Sequence, residues 1–216
     1  MRSNGASFYR ELLASPPVLA VLSGPSGCGK TTVADAYVKK KSARCSVSAT
    51  TRPPRAGERH GVDYFFMSDA EFDACIRNGE LAEWATMYGR HRYGTLNRTI
   101  QDAQKVGGDL LLVIDPQGGA QIRAKYPLAA LILLVPPSMK ALKRRLMRRG
   151  TDSEEEREAR VQEALNEIQA ANFYDYVIEN RDGKIDEAVK ALEAVMEAER
   201  RKMAARQAAF AAAASQ

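Results

Sequence analysis

The sequence predicts an α/β fold: a three-layer core in which helices cover a parallel sheet, with an inserted mixed β subdomain and a helical lid. Three observations predict it. Short unbroken apolar runs, each followed by helix-like sequence, recur along the chain. Between 46 and 97 the texture changes to alternating aromatic and polar residues punctuated by glycine. A stretch at 149–160, basic and then acidic, has almost nothing apolar to anchor it to a core.

Val18 to Ser23 reads as a buried strand running straight into a glycine turn, and Thr31 to Lys41 as the helix that follows. In the altered region Tyr64, Phe65, Phe66, Trp84, Tyr88 and Tyr93 alternate with polar residues. One helix interrupts them at Ser68-Asp69-Ala70-Glu71, a capping box in which Ser68 and Glu71 satisfy each other's backbone donors. Two more buried strands follow, Leu110 to Ile114 and Ala130 to Val135, each with a helix after it, Gly119 to Lys125 and Ser138 to Arg149. Strand and helix in alternation are the pattern of a parallel sheet. Tyr176 to Glu179 is the last strand. From Ile185 the apolar spacing is helical, and after Ala204 the chain becomes an Ala-rich tail. The implied organisation is a core at 16–45 and 98–200, an inserted subdomain at 46–97, a lid at 149–160 within the core, and a tail at 201–216.

Composition sets bounds on function. Of 216 residues, 45% are hydrophobic and 27% charged, ordinary globular usage that excludes a disordered or fibrous chain. The charge of +5 hints at an anionic partner but is too small to name nucleic acid. The longest apolar stretch, Leu128 to Val135, falls short of the ~18 residues a membrane span needs. No signal-peptide pattern follows Val18 to Leu22. Three widely spaced cysteines (Cys28, Cys45, Cys75) without a C-x-x-C point to a reduced, cytoplasmic setting with no disulfide or zinc.

Gly24-Pro25-Ser26-Gly27-Cys28-Gly29-Lys30-Thr31 matches G-x-x-x-x-G-K-[ST], between a strand and a helix as that motif requires. The glycines let successive N–H groups point into one concavity, and the helix N-terminus adds partial positive charge. Lys30 supplies a point charge for outer phosphates. The Thr31 hydroxyl can ligate Mg²⁺, and Thr32 continues the first turn. Cys28 reads as a small residue filling the turn, without a catalytic role.

The inserted subdomain carries the acceptor side. Arg52 and Arg55 stand three apart in a loop stiffened by Pro53 and Pro54, and two planar guanidinium forks suit a phosphate dianion. Tyr64 and Tyr93 can add hydroxyl donors. Glu83, in the apolar setting Glu83-Trp84-Ala85, is a carboxylate in need of partners. Guanine offers it N1–H and N2–H₂, whereas adenine presents an acceptor at N1. Ser48 and Thr95 are suited to O6 and the rest of that edge. Sites built on such polar complementarity discriminate by ~10⁴ or more.

Taken together, these stretches closely resemble the guanylate kinase family. The matching pieces are Gly24 to Thr31, Ser46 to Glu58, Gly61 to Phe66, Glu83 to Ala85 and Tyr93 to Thr95. Asp115-Pro116-Gln117-Gly118, Pro136 to Ser138, Arg145-Leu146, Arg149 to Thr151, Arg160 and Asn180 complete the set. They run in family order from about 18 to 197. The resemblance implies a P-loop NTPase core, a GMP-binding subdomain and a lid. It implies that Ser48, Glu83, Thr95 and Asp115 face guanine, and that Arg52, Arg55, Tyr64 and Tyr93 hold the GMP phosphate with Glu58 in the same group. Arg145, Arg149 and Arg160 would close over ATP, and Asn180 would lie near the adenine. The implied reaction is Mg²⁺-dependent transfer of the ATP γ-phosphoryl group to GMP or dGMP. Its nucleophile, a phosphate oxygen, is already largely ionised at pH 7, so no general base is expected; His60 and His91 read as exposed loop residues.

Two departures from the family pattern stand out. Val113 occupies the place of an acidic residue that supports Mg²⁺ or its waters. The link Met87 to Tyr93 is one residue longer than usual, with the extra residue expected near Gly89. Other readings are a scaffold module that binds phosphopeptides, a kinase for a different acceptor, and a nucleic-acid patch along Lys140, Lys143, Arg144, Arg145, Arg148 and Arg149. The retained Lys30 and Thr31, the pairing of Glu83 with Ser48, and the lack of interleaved aromatics argue against them in turn. The expected partners are ATP and GMP, without nucleic acid or membrane, in a monomer or homo-oligomer.

Overall fold

The stretch LAVLS at 19–23 sends alternate side chains to the two faces of a sheet, and every residue after the first is buried. Such a strand needs apolar cover on both sides, and the rest of the core supplies it. The computed structural model describes residues 16–41, 43–87, 90–147, 154–169 and 172–202. In chain order the elements begin with β1 (Leu19–Ser23), α1 (Lys30–Lys40), β2 (Ala43–Cys45), β3 (Ala49–Thr50), β4 (Phe65–Phe66) and α2 (Asp69–Arg77). Then come β5 (Leu81–Met87), β6 (His91–Leu96), α3 (Asn97–Val106), β7 (Asp109–Val113) and α4 (Pro116–Lys125). The chain continues through β8 (Ala130–Val135), α5 (Met139–Met147), α6 (Glu154–Gln169), β9 (Tyr176–Glu179) and α7 (Ile185–Arg200).

Five strands form the main sheet in the order β2-β7-β1-β8-β9, and every pairing is parallel. Ala20 and Leu22 point to one face with Leu111, Ile132 and Ile178, where Val33 and Tyr37 of α1 and Val189, Leu192 and Met196 of α7 cover them. Val21, Leu110, Leu112 and Leu131 point to the other, beneath Ile100 of α3 and Ile122 of α4. A fully buried Leu or Ile contributes about 1.5–3 kcal/mol each. This is the three-layer core expected from the sequence.

Sequence order reverses on either side of β1, so the loops at the carboxyl ends of the strands open a crevice. Leu22 pairs with Val113, so the turn after Ser23 and the residue Asp115 leave the sheet side by side. The turn after β9 carries Asn180 to the same end.

A second, mixed sheet lies between β2 and α3 in sequence, in the order β4-β3-β6-β5. β3 runs parallel to β4 and antiparallel to β6, and β5 and β6 form an antiparallel hairpin. The helix beside it opens with the expected capping box: Ser68 Oγ accepts from the Glu71 N–H at 3.3 Å, and Glu71 Oε2 accepts from the Ser68 N–H at 2.7 Å.

Several elements differ from the sequence reading. The 97–106 helix and the three-residue β2 carry too few apolar positions to be read separately; Ile100 and Ala103 are the only fully buried residues of α3. α4 starts at Pro116 rather than Gly119, because Asp115 caps it through a 2.9 Å hydrogen bond from the Gly118 N–H and proline suits the first turn. α6 runs on to Gln169, beyond the expected lid, since Val161 and Ala164 pack on Leu142 and Leu146 of α5. His91 is not in an exposed loop: it is half-buried at the start of β6, whereas His60 is exposed. No helix among the described residues is long and apolar enough to cross a membrane. Most of the expected Ala-rich tail, 203–216, lies outside the described residues.

Candidate active site

The turn after β1 is shaped by its glycines. Gly29 caps α1 with φ at 95°, a conformation that L side chains rarely adopt. A side chain there would also collide with Asn180, whose Nδ2 lies 2.5 Å from the position a Cβ would take. Lys30 folds back across the turn, its Nζ donating to the carbonyls of Gly24 at 2.6 Å and Pro25 at 3.2 Å. Its ammonium therefore closes the loop on itself. Thr31 and Thr32 are exposed in the first turn of the helix, with the turn at Ser26 and Gly27 ahead of them. Cys28 is completely buried, and burial pushes its thiol above the usual range, so it remains a neutral filler as expected.

Arg145 and Asn180 reach this loop through its backbone. The Cys28 carbonyl accepts from Asn180 Nδ2 at 2.8 Å and from Arg145 at 3.3 Å. Arg145 also donates to the Asn180 carbonyl at 2.7 Å and to Asp182 Oδ1 at 2.9 and 2.7 Å. The guanidinium holds the Asp182 carboxyl below its ordinary range. Arg144 pairs with Asp182 as well, so two members of the basic run on α5 are engaged within the chain. Arg160 lies on α6 and is half-buried; Arg149 lies outside the described residues.

A second cluster surrounds Glu83. It is opposite Thr95 in the β5–β6 hairpin, past a bulge between Leu81 and Glu83, and is 2% exposed. Thr95 donates its hydroxyl to Glu83 Oε1 at 2.6 Å. Burial, with the nearby Asp115 carboxylate adding to it, pushes the Glu83 carboxyl up to about 7. Gly118 makes room for it: a Cβ there would lie 2.4 Å from Glu83 Oε2. Glu83, Thr95 and Asp115 are thus brought together. Ser48 is half-buried just before β3, its carbonyl accepting from the Phe65 N–H at 2.9 Å.

Arg52 organises a third cluster. Its guanidinium lies 5.3 Å from the centre of the Tyr64 ring and 5.8 Å from that of Phe66, and the Tyr64 and Tyr93 rings meet edge-on at 6.0 Å. Glu58 accepts from Arg52 at both carboxylate oxygens, 2.9 Å each, and from the Arg55 N–H at 2.7 Å. Glu58 therefore orders the arginine loop from within, while the Arg55 side chain extends into solvent. The hairpin pairs Met87 with His91 and Ala85 with Tyr93, which brings Tyr93 to Tyr64 despite the longer link. Residues 88 and 89, where the extra residue was expected, lie outside the described residues.

One residue at this end of the sheet escaped the sequence reading. Glu167 of α6 is half-buried, and its carboxyl is pushed up to about 7 by burial, against the pull of the Lys30 ammonium. It sits in no recognisable spacing, and only the packing of α6 brings it near Lys30. Val113, at the end of β7, packs against the apolar cluster around Leu22. Among the described residues, no group of three His, Cys, Asp or Glu side chains is placed to hold a metal ion.

Comparison with known proteins bears on this arrangement. A family model described as "Guanylate kinase" matches residues 17–199. The chain is 42% identical over 184 residues to a guanylate kinase of Caldanaerobacter subterraneus subsp. tengcongensis, covering 85% of this chain and 88% of that protein. It is 48% identical over 166 residues to a guanylate kinase of Streptomyces coelicolor, covering 76% and 83%. Among solved structures, the guanylate kinase of Anaplasma phagocytophilum superposes with a TM-score of 0.74 at 34% identity, over 90% of this chain and 92% of that one.

Proposed function

Because the chain belongs to the guanylate kinase family, we propose that it transfers the γ-phosphoryl group of ATP to GMP, and to dGMP, yielding ADP and GDP or dGDP. The observation that carries this reading is the buried Glu83, held by Thr95 beside Asp115, in a chain whose Gly24–Thr31 loop is built to grip a triphosphate. A carboxylate in that setting gains from two aligned donors, and the N1–H and N2–H₂ of guanine are such a pair. dGMP is included because the reading groups address the base edge and the phosphate, not the 2′ hydroxyl.

In this reading residues 16–45 and 98–200 form the ATP-gripping core, 46–97 the GMP-binding unit and 149–160 the lid, with 201–216 outside the machinery. The ATP side comprises Gly24 to Thr32, Arg145, Arg149, Arg160 and Asn180. The GMP side comprises Ser48, Glu83, Thr95 and Asp115 on the base, with Arg52, Arg55, Tyr64 and Tyr93 on the phosphate. Glu58 prepares Arg52 and yields part of its hold when the phosphate arrives. Mg²⁺, when bound with ATP, supplies charge neutralisation between the outer phosphates, and Thr31 would be its ligand from the chain. Lys30, Arg52 and the lid arginines position the two polyanions and stabilise the charge spread over the transferring group. No side chain has to remove a proton, since the attacking oxygen is already ionised. Such chemistry suits a cytoplasmic enzyme.

ADP production followed with GMP, dGMP, AMP and UMP as acceptors tests the proposal. GMP and dGMP should stimulate it, with AMP and UMP at least 100-fold poorer in kcat/KM. Equal stimulation by AMP, or none by GMP, overturns it.

A further inference from the structure

β5 is the edge strand of the second sheet, and an edge strand leaves alternate N–H and C=O groups without a neighbouring strand. Those of Trp84 are satisfied by a single side chain. Gln121 of α4 accepts from the Trp84 N–H at 3.1 Å and donates from Nε2 to the Trp84 carbonyl at 2.7 Å. A carboxamide carries both an acceptor and donors, so this one occupies the place of a missing strand residue. Its neighbours on the helix repeat the pattern at spacings of three and four, which lie on one face. Asp115 caps the helix, Gly118 admits the Glu83 carboxylate, and Lys125 Nζ donates to the Leu81 carbonyl at 3.0 Å. The bulged segment 81–84 is thus gripped by α4 on both sides of Glu83.

We propose that Gln121 is a positioning residue for base selection: by clamping the edge of β5 to α4, it fixes the Glu83 carboxylate relative to Asp115. The inference rests on Glu83 reading the guanine edge. A carboxylate accepts two donors well only at one distance and angle, and both acidic groups hang on the same clamp. Loosening it frees Glu83 to swing away from the purine while leaving intact the triphosphate loop, which Lys30, Arg145 and Asn180 hold through its backbone. The effect belongs in recognition of the base rather than in phosphoryl transfer.

Gln121→Leu, which removes both hydrogen bonds, and Gln121→Glu, which keeps the shape and the acceptor but loses the donor, test this. IMP, which lacks the 2-amino group, serves as the comparison acceptor beside GMP. Gln121→Leu should raise the KM for GMP about tenfold and shrink the GMP-over-IMP preference in kcat/KM by a similar factor, with kcat within about twofold. Gln121→Glu should fall between it and the parent. Trp84 is the only tryptophan of the chain, so the fluorescence of either variant reports the state of the clamp directly. An unchanged KM and preference in Gln121→Leu overturns the proposal, as does a loss of kcat and melting temperature at constant preference. Glu83→Gln run in parallel separates the layers. If it loses the preference while Gln121→Leu keeps it, the clamp alone is refuted; if both keep it, the base reading fails.

Discussion

On the proposed function, Glu83 is a residue costly to the empty protein and useful to the occupied one. It is 2% exposed, and burial, which disfavours the ionised form, pushes its carboxyl up to about 7, well above an ordinary Glu. The folded state therefore holds a proton between about pH 4.5 and 7 that the unfolded chain releases, and that advantage disappears as pH rises through 7. Above pH 7 the ionised Glu83 is a burden on the apo fold. Glu83→Gln is expected to stabilise the apo protein at pH 8 by on the order of 2 kcal/mol while weakening GMP binding at least 100-fold. Since guanine calls for the anion, GMP binding near pH 6.5 should release a proton that Glu83→Gln does not. Thermal melts and calorimetric titrations in buffers of different ionisation enthalpy read both effects. A variant less stable than the parent at pH 8 would contradict this reading of the site.

Elements differ in how much of their stability is local. α2 is closed by the reciprocal Ser68–Glu71 cap, and only Phe72 within it is fully buried. Ser68→Ala should cost about 1 kcal/mol in urea unfolding and leave the KM for GMP unchanged, because the cap touches nothing in the site. α4 is the opposite case. Two glycines and a proline make it a poor helix by composition, yet it is the element against which β5 is held. The sequence reading starts it at Gly119, whereas the cap by Asp115 starts it at Pro116. Gly118 is there for a reason the local sequence cannot express, namely the carboxylate of a residue 35 positions earlier.

At the scale of the whole molecule, the cations to which the proposed function gives the transfer step are distributed over separate parts. Lys30 opens α1, Arg52 belongs to the loop after β3, and Arg160 to α6. On that proposal each serves one substrate, and only their convergence would serve the transition state, which asks for closure around two polyanions. Two variants should therefore behave differently. Lys30→Ala is expected to cut kcat by at least 100-fold, whereas Arg52→Ala mainly raises the KM for GMP, by about tenfold or more. Steady-state kinetics with each substrate varied in turn check the division; equal losses in both parameters for both variants would refute it. Within the basic run, Arg144 and Arg145 of α5 share Asp182.

Features written within a few neighbouring residues were readable from the chain alone: the Gly24–Thr31 turn, the capped start of α2, the buried strands β7 and β8, and the arginine pair in its proline loop. Short-range geometry and burial of apolar runs decide these, and both are functions of local sequence. The fold class followed from their alternation, and the family from their order. Tertiary structure decided the rest. That Glu58 holds Arg52, that Arg145 meets the Cys28 carbonyl, that Glu167 comes within the electrostatic reach of Lys30 and that Gln121 completes the edge of β5 are relations no periodicity encodes. A polar side chain carries the same letter whether it meets water or a backbone group 37 residues away. Only the packed sheets and helices determine which of the two it satisfies.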